Sequence, residues 1–274
     1  MRWGLGKVSK AKAMQLCREV INPPKWKQML EDALQTARRA ADRMDGQLLG
    51  VDLGAFGSVR RLHDSPPIYT IDDFLSEVEC AQMVRAAPPL LHPSRTSDKV
   101  TEIRTSSTGF LPRDAPLSVA VFERAARLLP STSGTRTVYR GFAAFEDLQV
   151  ARYAPGQKYE GHFDGADPHD ADAEDFFKGG GQRVATVLIY LNSLDQDDGG
   201  ATSFSSLDLK VQPKRGRAVV FFPGRLDGTL DKRLYHEAQP ARATKWVSQL
   251  WVRQIGDPIR SVPHEWLVSL DDDE

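Results

Sequence analysis

Tyr159-Glu160-Gly161-His162-Phe163-Asp164 is the stretch on which the reading of this chain turns. His162 and Asp164 are one residue apart, and on a β-strand residues i and i+2 share a face. Both can therefore point at one metal ion. A third donor stands far downstream at His236 and must come from a second strand brought alongside. Two imidazoles and one carboxylate on one side of a metal leave the opposite coordination positions open. Lys245 follows His236. In Lys245-Trp246-Val247-Ser248-Gln249-Leu250-Trp251-Val252 the residues alternate, so Lys245 faces inward while Trp246 turns to the other side. A buried ammonium needs a counter-charge, so Lys245 reads as the anchor for an anionic group.

The flanking text is β. Leu148-Gln149-Val150-Ala151-Arg152-Tyr153 alternates, and Ala154-Pro155-Gly156-Gln157 reads as a turn. After Asp164 comes an acidic loop, 165–182, ending in Gly179-Gly180-Gly181. Its His169 stands among Asp167, Asp170, Asp172, Glu174 and Asp175, a weak cation site beside Pro168. The run Arg183-Val184-Ala185-Thr186-Val187-Leu188-Ile189-Tyr190-Leu191 predicts a central, buried strand. Gly199-Gly200-Ala201-Thr202-Ser203-Phe204 and Ala218-Val219-Val220-Phe221-Phe222 add two more. Short strands between Gly/Pro turns predict a mainly β domain with flanking helices, built on a double-stranded β-helix, or jelly roll.

Farther out, the chain predicts helices. A stripe from Trp26 to Met44 recurs at three and four residues, opened by Pro23-Pro24 and closed by Gly46. Residues 1–50 thus read as an N-terminal helical extension and 51–67 as a connector. The β-helix domain spans 68–254, and 255–274 forms an acidic tail. A helix is expected over Ser76–Ala86 and another over Ser118–Leu129. The 274 residues carry a net charge of −1, which gives no global argument for nucleic acid. Only two cysteines occur, so a disulfide framework is not expected, and a reducing cytoplasmic or nuclear setting is. Organelle targeting by the basic N-terminus stays open. No apolar run approaches the ~20 residues of a membrane span.

From Ile68 to about Arg253 the chain resembles the prolyl 4-hydroxylase branch of the Fe(II)/2-oxoglutarate dioxygenases. The matching text is Gln149 to Tyr159, His162-Phe163-Asp164, Gly181 to Leu191, Gly199 to Phe204, Pro213 to Gly216, His236 to Pro240 and Lys245-Trp246. The resemblance implies Fe(II) held by His162, Asp164 and His236, and 2-oxoglutarate anchored by Lys245 with help from Tyr153 and Thr202. It implies O2 as the oxidant and ascorbate as an optional reductant. It places Tyr159, Arg183 and Trp251 against the substrate. Tyr159 lies three residues before His162, on the opposite face of an ideal strand, so it reaches the metal only through a bulge or bend. The segment 88–116, with Arg95 and Arg104-Thr105-Ser106-Ser107, would close over a peptide. The expected reaction is hydroxylation of an unactivated C–H, first of all prolyl 4-hydroxylation of a peptide or protein. A free amino acid or other small molecule is the alternative substrate, shaped by the long loop after Asp164. An inactive jelly-roll binding module is a third reading.

Overall fold

The structure, a computed structural model, describes residues 50–96, 101–129 and 144–254. The helix expected over Pro23–Met44, the basic N-terminus and the acidic tail lie outside them. In chain order the strands are β1 (Val59–His63), β2 (Ile68–Ile71), β3 (His92–Pro93), β4 (Ser107–Phe110), β5 (Gln149–Tyr153), β6 (Tyr159–His162), β7 (Arg183–Tyr190), β8 (Thr202–Phe204), β9 (Leu209–Val211), β10 (Ala218–Phe221), β11 (His236–Ala238) and β12 (Lys245–Arg253). The helices are α1 (Glu77–Ala86), α2 (Pro116–Leu128) and α3 (Glu174–Lys178). A large sheet runs β1-β2-β10-β7-β12-β5-β4-β3, and a small one runs β6-β11-β8-β9. The described pairings are antiparallel, as the fold class expected from the sequence requires.

Alternation along the central strands divides the interior in two. On β7, Ala185, Val187 and Ile189 belong to one apolar cluster, while Leu188 and Tyr190 belong to the other. On β12, Leu250 and Val252 join the first cluster and Val247 the second. The first packs the large sheet against α1 and α2 through Met83, Val121, Phe122, Ala125 and Leu128. The second fills the space between the sheets, where Phe204 meets Phe221 at 5.2 Å. Because β7 is covered on both faces, it needs apolar residues at nearly every position, which is why its sequence does not alternate.

Local chemistry fixes the helix ends. Ser76 caps α1 by accepting from the Glu79 amide, and the Glu79 carboxylate accepts from the Ser76 amide at 2.8 Å. α2 opens on Pro116, whose missing N–H costs nothing in the first turn. Two features depart from the sequence reading. β1 stands inside the stretch expected to be a connector and pairs with β2 at the edge of the large sheet. The acidic loop after Asp164 contains α3.

Candidate active site

His162 ends β6 and His236 opens β11, and the two are paired across the small sheet. Asp164 lies two residues past the end of β6 rather than on it. Even so, one donor atom from each of the three comes within 4.8 Å of the others, the one such group of three among the described residues. Asp164 Oδ1 is 3.7 Å from His162 Nε2, and Oδ2 is 3.7 Å from His236 Nε2. His162 Nδ1 is 2.9 Å from the Glu160 carbonyl and His236 Nδ1 is 3.0 Å from the Leu234 carbonyl. A carbonyl can only accept, so each Nδ1 carries the hydrogen and each Nε2 lone pair is turned toward the other donors. Burial, then neighbouring His236, holds the His162 imidazole far below its ordinary pKa, so it stays neutral and able to ligate. Burial opposes ionisation of Asp164, yet His236, His162, Arg183 and the Thr186 hydroxyl outweigh it, and its pKa is lowered. The donor set fits a divalent iron with open positions.

Thr186 donates to Asp164 Oδ2 at 2.8 Å, and Phe204 and Phe221 pack against the His236 ring at 5.5 and 4.9 Å. The sequence reading missed Thr186, which hid inside the β7 apolar run. Its signal was the lone hydroxyl among branched apolar neighbours.

Lys245 is 1 % exposed, on the inner face of β12 and opposite Tyr153 on β5. Its ammonium lies 5.5 Å from the centre of the Tyr153 ring and 5.8 Å from that of Tyr190. No acidic side chain or hydrogen bond from the described residues serves it. Burial alone pulls its pKa from 10.5 down to about 7. Thr202 lines the same cavity, and the Tyr190 hydroxyl is 2.8 Å from Thr202 Oγ1 and 3.1 Å from the Val211 carbonyl. Gly199 and Gly200, both near φ +70°, let the chain turn into β8; a Cβ on Gly199 would meet the Pro240 carbonyl at 2.7 Å. The cavity therefore has a three-donor group near one end and an unpaired cation near the other.

Tyr159 reaches this cavity through the bulge its position demands. Between His236 and Ala238 the partner strand advances from His162 to Tyr159, one residue too many. The Tyr159 ring then stacks on His162 at 3.6 Å and 12°. Gly161 sits within the bulge, and a Cβ there would fall 2.3 Å from the Tyr235 ring.

Arg183 lies over Trp251, its guanidinium carbon 3.9 Å from the ring centroid. Its Nε and Nη2 donate to Glu146 at 2.7 and 2.8 Å, and Nη1 donates to the Asp164 carbonyl at 3.2 Å. Glu146 also accepts from Arg253. Phe176 of α3 covers Arg253 at 4.3 Å and Arg183 at 5.5 Å. Glu146, Arg253 and Phe176 were not singled out from the sequence, since nothing local marks them. The Trp251 indole N–H has no hydrogen-bond partner among the described residues. Arg104 packs over the Tyr159 ring at 4.6 Å and donates to Gln149 at 2.8 Å. Its segment runs beside β6, with Thr105 N donating to Lys158 O and Glu160 N to Ile103 O. His169 is exposed and takes no part in the cluster.

A jelly roll with a His-Asp-His group between its sheets, and a buried lysine across the cavity, defines a class of metal-dependent oxygenases. A model of the 2OG-Fe(II) oxygenase superfamily matches residues 148–253. Prolyl 4-hydroxylase 1 of Arabidopsis thaliana is 33 % identical over 249 residues, covering 81 % of this chain and 80 % of its own length. Prolyl 4-hydroxylase 5 of the same plant is 33 % identical over 216 residues, covering 68 % of each. The viral collagen prolyl hydroxylase of Paramecium Bursaria Chlorella virus-1, solved as a 2OG complex, superposes with a TM-score of 0.54 at 29 % identity. That match covers 68 % of this chain and 94 % of the viral one. The chain belongs to the 2OG-Fe(II) oxygenase superfamily, in its prolyl 4-hydroxylase branch. It is an enzyme of that class, whose chemistry uses Fe(II), 2-oxoglutarate and O2. No helix among the described residues is long and apolar enough to cross a membrane.

Proposed function

We propose that the chain hydroxylates a prolyl residue of a peptide or protein at an unactivated C–H, with Fe(II) held by His162, Asp164 and His236. The observation that carries this reading is a single cavity lined by His162, His236 and the buried Lys245 ammonium, with Asp164 grouped beside both histidines. When bound, the iron supplies the oxidising chemistry with O2. The residues do the rest. His162 and His236 offer Nε2 because backbone carbonyls fix the tautomer. Thr186 holds the Asp164 carboxylate in place. Lys245 pairs with the far carboxylate of 2-oxoglutarate, with the Tyr153 and Thr202 hydroxyls lending hydrogen bonds. Phe204, Phe221 and Leu188 keep the cavity dry.

At the mouth, Tyr159, Arg183 and Trp251 would receive the substrate. The Arg183–Trp251 stack offers a flat wall for a pyrrolidine ring. Arg183 retains one free N–H on each terminal nitrogen for a peptide carbonyl. A groove with exposed Glu160, Ser205, Tyr235 and Pro240 meets the cavity at Tyr159 and His236, which suits an extended chain. A compact substrate such as a free amino acid is the second reading, favoured by Phe176 folding over Arg183 beside the mouth. A buried Cys80 without a disulfide partner among the described residues agrees with a reducing compartment, cytoplasmic or nuclear.

Purified protein with Fe(II) and 2-oxoglutarate, offered proline peptides and free amino acids, tests the assignment. Succinate release coupled to the gain of one oxygen by a peptide supports it; oxygen gained only by free amino acids favours the second reading. His162→Ala and His236→Ala are each expected to abolish turnover with an unchanged circular dichroism spectrum. Ascorbate is expected to prolong turnover without being required for a first cycle.

A further inference from the structure

Gln249 shares the inner face of β12 with Lys245, Val247 and Trp251 and has no part in the assignments above. It pairs with Gln149 on β5 and with Leu188 on β7. Its side chain is 8 % exposed and lines the cavity that contains His162, His236, Thr186 and Lys245. A carboxamide carries two N–H donors and an acceptor oxygen. Gln149 satisfies its oxygen with Arg104, but no described residue hydrogen-bonds the Gln249 amide. A buried polar group without a partner is costly, so an amide open to a cavity marks a place where a ligand supplies one.

Position along β12 says which part of the ligand that is. At about 3.3 Å per residue, Gln249 stands about 13 Å from Lys245 and about 7 Å from Trp251 along the strand. Trp251 is paired with Thr186, whose hydroxyl holds Asp164. Gln249 is therefore one pair from the metal-binding end and two face positions from the ammonium. A 2-oxo diacid spanning the cavity presents its anionic oxo-acid head there, and toward an anion an amide turns its N–H.

We infer that the Gln249 carboxamide donates a hydrogen bond to the oxo-acid head of the cosubstrate and thereby helps select 2-oxoglutarate over diacids lacking that head. The inference rests on reading the cavity as a 2-oxoglutarate site. It is tested by titrating the full chain, loaded with Fe(II) without oxygen, with 2-oxoglutarate while following visible charge-transfer absorbance. Gln249→Met keeps the length and removes the donors; it is expected to weaken binding roughly ten- to hundredfold, as for one lost hydrogen bond to a charged group. Gln249→Glu keeps the shape and adds an anion, and is expected to bind still more weakly. Thermal melts check folding, and Gln249→Ala replaces either variant that fails to fold. Unchanged affinity in Gln249→Met, or affinity in Gln249→Glu equal to wild type, overturns the role of Gln249 alone. A wild-type protein with no absorbance overturns the cavity assignment as well.

Discussion

Lys245 is the residue whose state depends most on the occupant of the cavity. Its folded pKa of about 7 lies below the ordinary 10.5, so between those values the unfolded chain holds the proton more firmly. Folding stability from this group therefore rises as pH goes from about 7 to 10.5 and is least below 7. Lys245→Met removes the burden. The variant is expected to match or exceed wild type in denaturant midpoint at pH 7, with the difference shrinking toward pH 10, while losing 2-oxoglutarate binding. A loss of stability at pH 7 would place a hidden partner on the ammonium. In the wild type at pH 8, a dicarboxylate restores the charge, so binding should take up roughly one proton per ligand, read by calorimetry in buffers of different ionisation enthalpy. Thr186 makes a second test. Thr186→Val keeps the shape and removes the hydroxyl on Asp164, with an expected ten- to hundredfold loss of iron affinity, the usual cost of losing such a supporting contact, measured by chelator competition. At this scale the site was largely legible. His-X-Asp, a remote His and an inward Lys carry their chemistry in residue type and spacing. Thr186, Glu146 and Gln249 do not, because a buried Thr, Glu or Gln acquires its role only from the strand that folds across it.

Among the elements, β6 and the loop after it decide where the proposed substrate wall stands. The β6 bulge swings Tyr159 to the face of His162, and Gly161 permits it by leaving room for the Tyr235 ring. Strand periodicity alone places Tyr159 on the wrong face; the need for a bulge could be stated from sequence, but its position comes from pairing with β11. Likewise the acidic composition of 165–182 reads as a solvated loop, yet Phe176 of α3 is drawn onto Arg183 and Arg253, and the Arg253 guanidinium donates to the Phe176 and Gly181 carbonyls at 2.9 and 2.8 Å. Glu146 joins these elements. Removing it leaves the buried Arg253 guanidinium and the partly buried Arg183 guanidinium short of their counter-charge, so Glu146→Ala is expected to cost about 3–5 kcal/mol in chemical denaturation. A cost below about 1 kcal/mol would show that the network is not buried in solution.

Across the described residues, two sheets and two apolar clusters border a cavity with polar side chains, and the proposed site residues line it from both sides. The large sheet supplies Lys245, Tyr153, Thr186 and Gln249; the small sheet supplies both histidines and Thr202. We propose that the catalytic domain begins at β1 rather than at Ile68, because β1 completes the edge beside β2. The central claim is that the cavity takes Fe(II) and 2-oxoglutarate together. Anaerobic titration of the iron-loaded chain with 2-oxoglutarate measures this directly. A visible charge-transfer absorbance saturating at one cosubstrate per chain, and absent from His236→Ala and Lys245→Met, is the expected result. A wild-type protein that stays colourless at every 2-oxoglutarate concentration would contradict it.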